Sequence, residues 1–100
     1  MEMETHKLTQ LQCIGISTML MNIKNHGSEW LTSGEIKFIR STVPSNHITM
    51  LVVIPEPDII YQFTLSWLEC IDCDIEYHFQ YDTSMGMFRI IQNETVVGDA

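Results

Sequence analysis

The sequence predicts an α+β domain, with one N-terminal amphipathic helix packed on an antiparallel meander of four or five strands, in two layers. Three observations predict it. A capping box opens a helical stripe near residue 10, the hydrophobic period changes from helical to two after Gly34, and turn residues punctuate the remainder at short intervals.

The helix comes first. Thr9 is followed three residues later by Gln12, so the Thr9 side chain can accept a first-turn backbone N–H while Gln12 reaches back to the cap. Leu8 and Cys13 have the spacing of a hydrophobic staple. Leu8, Leu11, Ile16, Met19, Leu20 and Ile23 then share one broad arc, with Gln10, Ser17 and Lys24 opposite, and Asn25-His26-Gly27 supplies the stop.

After Thr32-Ser33-Gly34 the chain reads as strands. Ile36, Phe38 and Arg40 alternate with Lys37 and Ile39, Pro44-Ser45-Asn46 predicts a turn, and the β-branched run from His47 to Ile54 predicts a central, well-buried strand. Pro55-Glu56-Pro57-Asp58 ends that strand, because proline has no N–H to give a ladder. From Ile59 to Trp67 two periods fit: alternation of Tyr61, Phe63, Leu65 and Trp67, or a helical arc of Ile59, Ile60, Phe63, Trp67, Leu68 and Ile71. The β-branched and aromatic composition decides for a strand. Ile75, Tyr77, Phe79 and Tyr81 form the next alternation, Asp82 to Gly86 a turn, and Phe88 to Ile91 the return strand; Asn93-Glu94 turns again before Val96-Val97. No repeat or linker divides the chain, so residues 1–100 are expected to form a single domain.

Charge is the most uneven property. Of 13 acids and 5 bases, residues 1–50 hold four of each and residues 51–100 hold nine acids and Arg89 alone, so the net charge of -8 belongs to the second half. Asp72, Asp74 and Glu76 recur at every second residue. On a strand that began early they would share one face with His78 and Gln80, opposite Cys73, Ile75, Tyr77 and Phe79. Like charges so spaced, ~7 Å apart, repel by only a few tenths of a kcal/mol in salt, so the stripe needs no ion. It reads either as a solubilising strand face or as a docking surface for something basic. Direct binding of nucleic acid is disfavoured, because the phosphate term would be repulsive.

Other chemistries find little support. Cys70-Ile71-Asp72-Cys73 is a lone Cys-x-x-Cys knuckle, and Cys13, His6, His26, His47 and His78 offer no paired spacing to complete a zinc site. The carboxylates around it oppose a redox-active thiolate. There is no Gly-x-Ser-x-Gly, no dinucleotide fingerprint and no P-loop, and the acidic stripe lacks the glycine-centred loop of a calcium site. No enzymatic activity, metal or cofactor is therefore expected. The first residues lack a basic start and an apolar run, no stretch approaches the ~20 apolar residues of a membrane span, and three cysteines suit a reducing compartment, so a cytoplasmic location is expected.

The functional expectation is a non-enzymatic acidic module of bacterial or phage type that binds and occludes a basic, nucleic-acid-handling protein, as an immunity protein, antitoxin or anti-defence inhibitor would. Its partner-binding residues are expected to be Glu69, Asp72, Asp74, Glu76, His78 and Asp82, with Trp67 as the aromatic anchor. The competing expectation is a chaperone-like or scaffold homodimer that pairs strand edges or helices and binds a partner segment.

Overall fold

A computed structural model describes residues 5–40, 47–68 and 70–92. One helix, α1 (Gln10–Asn25), packs on a five-stranded antiparallel sheet of β1 (Ser33–Arg40), β2 (Ile48–Ile54), β3 (Ile59–Leu65), β4 (Tyr77–Asp82) and β5 (Met87–Gln92). The predicted turns at Pro44–Asn46 and Asn93–Glu94, the Val96–Val97 pair that follows and the site residue Glu69 lie outside the described residues.

The helix starts and stops as its sequence requires. Thr9 Oγ1 accepts the Gln12 N–H at 3.1 Å, and Gln12 Oε1 accepts the Thr9 N–H at 2.9 Å, closing the capping box. At the other end Gly27 takes φ +126°, a backbone angle that side chains resist, and the Ser28 N–H caps the Ile23 carbonyl. Ile16, Ser17 and Leu20 are the buried residues of the helix. Two assignments on the predicted stripe change. Leu11 is 80% exposed, because nine residues before Leu20 it lies about half a turn away from the buried face. Ser17, expected outside, is buried and donates to the Phe88 carbonyl at 2.9 Å, satisfying a β5 backbone group that no strand pairs among the described residues.

The strand order is β3-β2-β1-β4-β5, so the sheet is two hairpin-linked units rather than one continuous meander. β2 lies inside the sheet between β3 and β1, and β1 holds the middle. Ile36 and Phe38, Ile48 to Ile54 at every second residue, Tyr77, Phe79 and Phe88 point to the covered face. The connection after β3 passes beneath that face to reach β1's second side. It buries Leu68 and Ile71 on the way, and the Asp72 N–H and Cys70 carbonyl bond to the backbone of His6. β1 can accept β4 so closely because Gly34 lies opposite Phe79. A Cβ at Gly34 would stand 2.7 Å from the Phe79 ring and 2.7 Å from the Val53 carbonyl oxygen.

Candidate functional site

The strand register fixes where each acidic residue falls. β1 begins beside the β2–β3 turn (residues 55–58) and the β4–β5 turn (residues 83–86), and it ends beside the segment that leads into β4. The predicted site residues are thereby divided. Trp67, Asp72, Asp74 and Glu76 lie at the end where β1 finishes, His78 lies on the sheet's uncovered face opposite Glu35 and Ile91, and Asp82 lies at the other end. Tyr77 and Asp82 are the two ends of β4, about 17 Å apart at strand rise.

The carboxylate stripe does not form as a strand face. β4 begins only at Tyr77, so Asp72, Asp74 and Glu76 precede it. The reason is local: Asp72 Oδ1 accepts the Asp74 N–H at 2.9 Å and the Asp72 carbonyl accepts the Ile75 N–H, a turn that aspartate's short side chain favours over extended backbone. Two of the molecule's own cations come near this end. Lys37 Nζ is 4.0 Å from Glu76 Oε2, with both side chains about half exposed, and the Arg40 guanidinium reaches the Ile71 carbonyl at 3.5 Å. Trp67, 43% exposed, lies across Gly15 of the helix, where a Cβ would stand 3.1 Å from its ring.

The opposite end gathers acids that spacing along the chain had not grouped. Here Trp30, also 43% exposed, lines a cleft of about 260 Å³ with Thr32, Ser33, Ile54, Pro55 and Glu56. Glu29 precedes Trp30, and Asp58 shares the turn with Glu56. Lys24, which reaches the backbone on either side of Trp30, is occupied: its Nζ donates to the carbonyls of Glu29 at 2.7 Å and Leu31 at 2.8 Å, and stands over the Tyr81 ring. Asp82 has an internal task, accepting from Ser84 N–H, Ser84 Oγ–H and Met85 N–H, and these bonds, the Ser84 hydroxyl foremost, hold its carboxyl below the usual aspartate range. The sequence signal for this end was the acid pair Glu56 and Asp58, legible only as the end of a strand. That Trp30 lies beside it follows from tertiary structure.

The cysteines are free and each half-buried. Burial pushes the Cys13 and Cys73 thiols up, and for Cys73 Arg40 opposes that shift while Asp72 and Asp74 reinforce it. Such thiols stay protonated and unreactive at neutral pH. Among the described residues no three His, Cys, Asp or Glu side chains are grouped to hold a metal ion, and no helix is long and apolar enough to cross a membrane. A groove of about 170 Å³ runs between α1 and β5. Cys13, Ile14, Met87 and Ile90 line it, with Arg89 among them.

No family model, no curated protein and no solved structure matches the chain.

Proposed function

We propose that the protein is a non-enzymatic acidic binding module that docks on a basic protein and occludes its working surface, in the manner of an immunity protein, antitoxin or anti-defence inhibitor. The observation that carries this reading is the pairing, at one end of the sheet, of a half-exposed tryptophan with a cleft and carboxylates that form no ion pair among the described residues: Trp30, Glu56 and Asp58, with Glu29 beside them. A tryptophan beside a cleft is the kind of anchor that carries most of an interface's energy. The surrounding acids contribute differently. One-signed charge speeds encounter and rejects wrong partners more than it deepens affinity.

The Asp72–Glu76 cluster, with Trp67 on the same connection, lies at the other end of the sheet and is the weaker candidate, because Lys37 and Arg40 offset part of its charge. Reversal of charge therefore ranks the two ends. Glu56→Lys with Asp58→Lys is expected to slow association with a basic partner about tenfold and to flatten its salt dependence, within the steering range of electrostatic complexes. Asp72→Lys with Asp74→Lys is expected to slow it less. Stopped-flow or surface-binding association rates across ionic strength decide the matter. Rates untouched by both double reversals would remove the proposed role.

A further inference from the structure

We infer that the outer edge of β3 is a self-association site, pairing antiparallel with β3 of a second copy to make one ten-stranded sheet about a two-fold axis at Gln62.

The two edges of the sheet are treated differently by the fold. At the β5 edge α1 lies alongside, and Ser17 takes up the outward Phe88 carbonyl. The β3 edge has no such cover among the described residues. Its seven residues, Ile-Ile-Tyr-Gln-Phe-Thr-Leu, carry no charge, no proline and no glycine, the devices that usually blunt an edge. Ile60 is 59% exposed, and Gln62 and Thr64 are exposed as well.

Register shows which backbone groups are on offer. The Tyr81 N–H bonds to the Thr32 carbonyl at 2.7 Å, which makes Thr32 and Tyr81 a hydrogen-bonded pair between β1 and β4. Bonded and non-bonded pairs alternate along antiparallel strands. Gly34 and Ile36 therefore face β4, while Glu35, Lys37 and Ile39 face β2, opposite Val53, Leu51 and Thr49. Met50 and Val52 then face Phe63 and Tyr61 across the β2–β3 ladder. The N–H and C=O groups of Ile60, Gln62 and Thr64 are left pointing away from the sheet, and none of them is bonded among the described residues.

These three residues match themselves. In an antiparallel pair centred on Gln62, Ile60 meets the second copy's Thr64 and Gln62 meets Gln62, so all six outward donors and acceptors pair at once. The residues between them fall into register as Tyr61 with Phe63 and Ile59 with Leu65. All four are half-buried on the core side, and the second copy would extend that apolar layer past its present end. No acid meets an acid along the paired strands, which matters for two chains of net charge -8. The interface is small. A seven-residue edge is about 23 Å long and with a sheet thickness of ~10 Å covers roughly 230 Å² per copy, well under the ~800 Å² of a standard interface, so the dimer is weak and reversible.

This association is independent of the partner-blocking role, and salt separates the two. Screening is expected to strengthen pairing between two like-charged copies and to weaken docking on a basic protein. The test is sedimentation of the full chain from low to high micromolar concentration, with amide exchange read by NMR. The expected result is a monomer–dimer equilibrium in which the Ile60, Gln62 and Thr64 amides gain protection as concentration rises. Gln62→Lys sets two ammonium groups against each other at the axis, and Thr64→Pro removes an outward N–H without touching the β2 ladder. Both variants should remain monomeric with an unchanged far-UV spectrum. A wild-type chain that stays monomeric throughout, that protects only other amides on dimerising, or that captures an extended peptide at β3 in place of its own copy overturns the inference, as does a folded Thr64→Pro variant that dimerises like wild type.

Discussion

Gly34 stands where three strands press on one backbone position. Its missing side chain leaves room for the Phe79 ring on one strand and the Val53 carbonyl on another, each of which would lie 2.7 Å from a Cβ. The ring could turn aside. The carbonyl cannot, because β1 and β2 are locked through Glu35 and Val53. Gly34→Ala is therefore expected to destabilise the fold by about 1–3 kcal/mol, the usual cost of forcing atoms into a filled site. Urea unfolding measures it. A variant as stable as wild type would mean that the β1–β4 pairing is looser than its register implies. Phe79→Leu in the same background should recover only part of the loss, since it frees the ring contact and leaves the carbonyl in place.

The helix is held to the sheet by a polar contact inside an apolar layer, and that gives Ser17 a weight its residue type would not suggest. Ser17→Ala leaves the Phe88 carbonyl buried without a donor and is expected to cost about 1–3 kcal/mol, read by thermal or denaturant melting. A loss below a few tenths would show water reaching that carbonyl. This bond could not be read from sequence, where Ser17 belongs to the polar side of the helical period. The helix itself could, because Thr9, Gln12 and Gly27 act within a turn of where they stand. The strand character of residues 59–65 was also legible, through the aromatic and β-branched residues that overrode an equally good helical arc. What the sequence hides is pairing at long range. Gly34 meets Phe79 across 45 positions, and nothing local marks β4 rather than β3 as the second neighbour of β1. The acidic site was legible as charge and not as geometry: Asp72 spends its carboxylate on a backbone N–H, so a period of two in the sequence becomes a turn.

For the molecule as a whole, the imbalance of 13 acids and 5 bases has to be carried by the folded state. The cations do little to relieve it. Lys24 is tied to backbone carbonyls, and Lys37 and Glu76, 4.0 Å apart and half exposed, form the ion pair found among the described residues. A pair of that kind contributes at most ~1 kcal/mol. Self-repulsion should therefore outweigh attraction across the surface, and both should be screened alike as the Debye length shortens from ~30 Å at 0.01 M salt to ~8 Å at 0.15 M. The melting temperature is accordingly expected to rise over that interval. Lys37→Gln should show the same slope from a slightly lower start, because removing one weak pair leaves the excess of acid in place. Calorimetry or circular dichroism at a concentration low enough to keep the chain monomeric separates this effect from self-association, which salt also favours. A melting temperature that falls with salt would mean that attraction between opposite charges dominates the surface, and the acidic ends would then be poor candidates for capturing a basic protein.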